Sequence, residues 1–403
     1  MPKNTLLFPP SFVFDTIGAE SGIGGLQIAV NNLAVASKSG AMRQAHTLGV
    51  GGRNSIKNQN KGMPTLNSLL PTRSVGKYTV APSIPNGTVG LFTTGWGDTS
   101  HDITSQRLRT DRFTFATDTI VSLGARNPAP HLYYGIANST NGYLLIIVDS
   151  NQIWRLPFQT ETLALLGGTL FPARYQGASL KNQSRGYACA GSNGGTVYGN
   201  VDRFTFAGEV CVSIGSLLQA KNANSGFGNK FNGYIAGGLN NGVSTLPTNN
   251  IDRFSYASES SVAISALLSV SRNSMATWIP GSTLATYMMS GSTYGSFPTP
   301  GVSPARTYSS NVIDKFTFTG ETCAPLGSTL SKGSYTFGAV GNATRCVIGG
   351  GITHTDSYTI QSTYTVESNE MRGLTFVTET NAVLGCVLSV GRCYLAAVDN
   401  TSF

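Results

Sequence analysis

The chain has 403 residues, 48 of them glycine, with 40% hydrophobic and 11% charged residues and a formal net charge of +8. Ordinary soluble proteins are about a quarter charged, so this composition excludes a charge-rich disordered chain and a coiled coil. No apolar run approaches the roughly 18 residues that a membrane-spanning helix needs, which predicts a soluble protein.

The chain opens on Met1-Pro2-Lys3-Asn4 and a short apolar stretch broken by Pro9 and Pro10. It lacks the apolar core of a secretory signal, so classical export is not expected. Residues 1–97 carry eight basic residues and two acidic ones, Asp15 and Glu20, so most of the positive excess lies at the front. Two readings fit Lys38, Arg43, Arg53, Lys57 and Lys61: a solvated surface, or a face that docks on an acidic partner. Nucleic-acid binding is not expected, because no stacking aromatics interleave these residues in a compact motif. Residues 1–52 read as an N-terminal extension, ordered by a partner or closing the fold through Phe12-Val13-Phe14.

From residue 53 onward the dominant signal is internal repetition. Asp111-Arg112-Phe113-Thr114-Phe115 returns as Asp202-Arg203-Phe204-Thr205-Phe206, Asp252-Arg253-Phe254-Ser255-Tyr256 and Asp314-Lys315-Phe316-Thr317-Phe318, with weaker copies ending at Phe158 and Phe376. Period-two alternation makes each copy a strand, with Phe113 and Phe115 on one face and Arg112 and Thr114 on the other. A turn such as Ala207-Gly208-Glu209 follows, then a second apolar strand, giving a hairpin. Some fifteen to twenty residues on, a Gly-containing turn precedes an apolar strand that ends in glycine, as at Tyr234-Ile235-Ala236-Gly237-Gly238. Four strands per unit of about fifty residues is the arithmetic of a propeller blade. The recurrent Asp-Arg pair reads as a structural device at a strand entrance, since it repeats where a single active site would not.

These features resemble kelch-type repeats, marked by a paired glycine closing one strand and an aromatic-rich strand soon after. The Asp-Arg-Phe-Thr-Phe form is similar to the kelch-like propellers of bacteriophage tail and appendage proteins. The resemblance implies an all-β kelch-like β-propeller over residues 53–403. Seven Gly-ended strands give seven four-stranded blades, the first built around Ile56 and Leu66 to Leu70. Eight is the alternative if Phe12 to Phe14 and His46 to Gly52 form another unit. The sheets are expected to be covered on both faces.

Insertions collect on the face shared by the connections after the Gly-ended strands and the crossovers between blades. The candidate binding residues there are Trp96, Asp98 and His101; Tyr294, Phe297 and Tyr308; and His354, Asp356, Tyr358 and Tyr364. Flat aromatic rings beside hydroxyl and carboxylate groups suit carbohydrate or protein recognition. The alternative is that these loops only pack on the disc or on a neighbouring subunit.

No catalytic residues are expected. Four scattered histidines lack the two-His, two-Tyr cluster of kelch-type copper oxidases, and no Asp box of the sialidase kind occurs. Nothing in spacing brings Asp98, Asp149, Asp356 and Glu367 together as a hydrolytic pair. The six cysteines show no CxxC spacing and read as buried thiols, so neither a metal nor a cofactor is expected. The function expected is a non-enzymatic structural and binding module. It would be a virion protein of a phage tail or appendage, serving in assembly and host-surface attachment within an oligomeric particle. The alternative is a lectin-like or adaptor propeller in the bacterial cytoplasm or at the cell surface, with a glycan-active enzyme third.

Overall fold

The computed structural model describes residues 84–97, 108–125, 133–146, 151–169, 172–193, 195–240, 246–278, 284–295, 306–354 and 365–401. Six four-stranded antiparallel sheets form the body. From inner to outer strand, blade 2 is Tyr133–Ala137, Asn141–Ile146, Gln152–Pro157 and Ala164–Thr169. Blade 3 is Ala178–Lys181, Arg185–Asn193, Thr196–Thr205 and Val210–Ser216. Blade 4 is Ser225–Gly228, Asn232–Ala236, Asn250–Ser255 and Ser260–Leu267. Blade 5 is Ala276–Thr277, Ala285–Met289, Ile313–Thr317 and Thr322–Pro325. Blade 6 is Gly338–Gly341, Arg345–Gly349, Glu370–Thr375 and Thr380–Val387.

Blade 1 is composite. Its three outer strands are Val89–Thr93, Arg109–Thr114 and Thr119–Ala125, and its inner strand, Ala396–Asp399, comes from the far end of the chain. Gly90 pairs with Asp399 and Thr93 with Ala396. Each inner strand neighbours that of the next blade, and Gly338–Gly341 of blade 6 lies against Ala396–Asp399, so the ring closes. The blade count is therefore six, not seven. Each blade owns one of the six aromatic strands. The surplus arose because Tyr394 to Val398, read as a seventh Gly-ended strand, is the inner strand of blade 1. Phe12 to Phe14, Ile56 and Leu66 to Leu70 lie outside the described residues, and the strand that pairs with the C-terminal one is Val89–Thr93.

Burial follows the alternation read from sequence: in Arg109–Thr114, Asp111 and Phe113 are buried while Arg112 and Thr114 are half-buried. The second strand of each blade sends a large residue into the next blade's aromatic pair. Tyr143 meets Phe204 and Phe206, Tyr187 meets Phe254 and Tyr256, and Tyr234 meets Phe316 and Phe318, with ring centroids 4.7–5.6 Å apart. A fully buried side chain of this size contributes roughly 1.5–3 kcal/mol, so these contacts bind blade to blade. Close approach needs a missing side chain at Gly186, where a Cβ would stand 2.3 Å from Ile136 of the preceding blade.

The outermost strands depart from expectation. They are not covered on both faces: Val210 is 54% exposed, and Val262 and Val383 are similarly open. Among the described residues no strand lies outside them, so their exposed valines have no blade to pack on.

Candidate functional site

Two belts of charge hold the blades in place. The first lies within blades. Asp111, Asp202, Asp252 and Asp314, each buried on its third strand, accept from a cation that stands four residues ahead of the same blade's inner strand. The pairs are Arg392–Asp111 at 2.6 Å, Arg174–Asp202 at 2.8 Å, Lys221–Asp252 at 2.7 Å and Arg272–Asp314 at 2.6 Å. Burial pulls the guanidinium pKa of Arg272 and Arg392 down, against the pull of the paired aspartate. Sequence reasoning found the aspartates and missed these cations. Their signal was a second periodicity, a basic residue at 174, 221, 272 and 392, four residues before the inner strands of blades 3, 4, 5 and 1.

The second belt lies between blades. The turn after each aromatic strand carries an acidic residue in the left-handed region, at Asp118, Glu161, Glu209, Glu259, Glu321 and Glu379. Each takes a cation from the preceding blade: Arg112–Glu161 at 2.8 Å, Arg155–Glu209 at 3.0 Å, Arg203–Glu259 at 2.8 Å, Arg253–Glu321 at 3.0 Å, and Lys315 with Glu379. Arg345 pairs with Asp118 and completes the circle from blade 6 to blade 1. Tyr143, Tyr187, Tyr234 and Tyr287 donate to the same glutamates of the next blade. Burial, before any other cause, pushes the Tyr187 hydroxyl up to about 12. The Lys315 hydrogen bond, more than any other cause, holds Glu379 below the usual carboxylate range. The Asp-Arg repeat is thus a two-ended brace, with Asp tying its own blade and Arg the next.

With strands antiparallel throughout, the connections between second and third strands share one face with the crossovers. In blade 5 the connection extends as a ribbon, Ser292–Gly295 against Arg306–Ser309, with Tyr294 opposite Thr307 and Tyr308 opposite Thr293. In blade 6, Ile352–His354 pairs with Thr365–Glu367, placing His354 opposite Thr365. Trp96 in blade 1 pairs with Cys393. Trp96, Tyr294, Tyr308 and His354 therefore sit on three consecutive blades at one face. Asp98, His101, Phe297, Asp356, Tyr358 and Tyr364 lie outside the described residues, as do Lys38, Arg43, Arg53, Lys57 and Lys61. A further feature at this face escaped the sequence reading. The second strands end in a residue of positive φ followed by a glycine of positive φ, at Thr94-Gly95, Ala190-Gly191, Gly237-Gly238, Ser290-Gly291 and Gly350-Gly351. Only the second position is glycine throughout, so among these sites the paired glycine is intact only at Gly237-Gly238 and Gly350-Gly351.

The axis holds two connected cavities, of about 120 Å³ at the ribbon face and about 160 Å³ deeper. Residues just ahead of the inner strands form a hydrogen-bonded arc around the upper one. Ala223 N donates to Gln176 O, Ser274 N to Ala223 O, Thr336 N to Ser274 O and Tyr394 N to Thr336 O. At the far end Lys181 Nζ stands 3.4 Å from Asp399, which also accepts from Trp278 Nε1 and Gly341 N. The six cysteines are free. Cys189, Cys346 and Cys393 are buried and Cys211, Cys323 and Cys386 half-buried, and burial pushes the Cys211 and Cys323 thiols up to about 12.

No family model matches the chain, and no curated protein matches it. Among solved structures, one described as the structure of YjhT is similar, with a TM-score of 0.52 and 15% identity, over 66% of this chain and 87% of that one. At that identity the likeness speaks to fold alone. Together with six four-stranded sheets closed by a shared blade, it establishes an all-β propeller.

Proposed function

We propose that this propeller is a non-enzymatic binding and assembly module, kelch-like in its repeats, that works in a phage tail or comparable appendage. The observation that carries the reading is the pair of ribbons on the neighbouring blades 5 and 6, which extend the second strands beyond the sheet at one face. Elsewhere the repeated charges are engaged in bracing the ring. Tyrosine and hydroxyl residues in such ribbons suit contact with a host-surface glycan or protein, because aromatic rings cover apolar surface at little entropic cost. The basic residues between Lys38 and Lys61 are proposed to dock the module on an acidic neighbour.

The reading is tested by changing Tyr294, Tyr308 and Tyr358 together to Ala. Attachment to host cells is expected to fall at least tenfold while the melting temperature stays within a degree or two. Retention of full attachment would remove the ribbons from the reading. Absence of the protein from purified particles would remove the virion assignment, and turnover of a polysaccharide would overturn the non-enzymatic one.

A further inference from the structure

An open sheet edge is a hazard, because its row of backbone donors and acceptors can pair with a second chain, and proteins blunt such edges with charge, proline, brevity or a bulge. The six outer strands, Thr119–Ala125, Ala164–Thr169, Val210–Ser216, Ser260–Leu267, Thr322–Pro325 and Thr380–Val387, contain no charged residue. They do expose apolar side chains, among them Val121, Val210, Val262 and Val383. By composition alone, each is a strand on which another copy could add its own.

Five of the six carry a bulge against the third strand of their blade. In blade 3, Ser213 is opposite Asp202 and Gly215 opposite Val201, which leaves Ile214 without a counterpart. In blade 1, Thr110 alone faces Leu123 and Gly124, and in blade 2 nothing between Gln152 and Ile153 answers Gly167 and Gly168. Blades 4 and 6 set three residues against Ile251 and Met371. Blade 5 stays in register throughout its pairing, and its outer strand is the shortest, four residues ending in Pro325. Lack of space does not explain the glycines: a Cβ at Gly124, Gly167, Gly215 or Gly385 would meet nothing within 4 Å. At Gly124 and Gly215 the backbone does, with φ of +77° and +141°. A bulge raises the local twist and breaks the even spacing of groups along an edge.

We infer that these bulges, with the short proline-ended strand of blade 5, guard the rim against edge-to-edge pairing between copies, in the role that charge plays on other edges. A second copy therefore cannot continue a blade's sheet outward, and the rim stays out of self-assembly. The inference rests on the outer strands alone and is independent of the ribbons.

Deleting Gly215 from the full chain removes the bulge of blade 3 and no side chain. Ser213 keeps Asp202 and Ser216 keeps Asn200, while Ile214 gains Val201, a member of the cluster on which it already packs. The deletion is expected to self-associate with rising concentration in sedimentation velocity. Its amides from Val210 to Ser216 should then exchange roughly tenfold more slowly at high than at low concentration. Adding Val212→Lys to the deletion should disperse the associated form, because charge returns to the edge. In wild type, exchange at the same amides is expected to be independent of concentration. A folded deletion variant whose edge amides ignore concentration would overturn the inference. If that variant does not fold, deleting Gly124 puts the same question to blade 1. The wild-type measurement also stands by itself: outer-strand amides that gain protection with concentration would mean that the edge pairs despite its bulge, and the inference would fall.

Discussion

The two belts of ion pairs use the same dipeptide in opposite ways. At the inner belt, Arg174, Arg272 and Arg392 and their aspartates are fully buried and stay within one blade. At the outer belt the basic side chains are 28–39% exposed in Arg112, Arg155, Arg203, Arg253 and Lys315, and each crosses to the next blade. A dry pair costs much to break because a charge is left stranded, whereas a wet pair is screened and replaceable. Blade 6 illustrates this. At its inner belt the order is inverted, with Arg372 on the third strand donating to Lys332 O and Ser334 standing where blades 1, 3, 4 and 5 have the cation. At its outer belt Gly373 replaces the basic residue, and Arg345 from the adjacent strand takes over. Its guanidinium also lies 5.7 and 5.8 Å from the Phe113 and Phe115 rings.

The contrast is broken most forcefully at the inner belt. Arg272→Met strands Asp314 in the interior and is expected to cost about 3–5 kcal/mol in urea unfolding. Adding Asp314→Leu should recover most of it, because the unpaired charge is gone. A single-variant loss under about 1 kcal/mol would erase the distinction between belts.

A smaller effect is expected from Glu259→Gln, which keeps the shape but removes the charge facing Arg203 and Arg185. Its loss should be roughly 1 kcal/mol, as for partly exposed pairs, and should shrink further in high salt. A loss as large as that of Arg272→Met would mean the outer belt is as dry as the inner.

The smallest effect concerns acid. Glu379 has a folded pKa below its unfolded value, so the stability it adds is present above the usual glutamate range near about 4.3 and is lost as pH falls through the folded value. Glu379→Gln should therefore unfold more readily than wild type at pH 7, with the two converging in thermal scans taken at progressively lower pH. A gap that stays constant with pH would assign the Glu379 contribution to packing.

Strand type and repeat were legible in the residues because both are local. Asp-Arg-Phe-Thr-Phe alternates with period two, and the turn and glycine signals around it lie within a few residues. The candidate site was less legible. Its face could be inferred from alternating strand direction, which places Trp96, Tyr294, Tyr308 and His354 together.

What the amino-acid order determined by itself was the four-stranded unit and its recurrence, since each blade's aromatic strand announces itself through short-range alternation; that the blades number six and not the expected seven followed only from how the ring closes. Only the tertiary structure decided how the ring shuts and where its charges are spent. The closing strand, Ala396–Asp399, pairs with one more than 300 residues away, and Arg392 meets Asp111 across a separation of 281. Such partners are chosen by which surfaces the ring leaves facing each other once water has been driven from between the blades, and no local pattern encodes that choice.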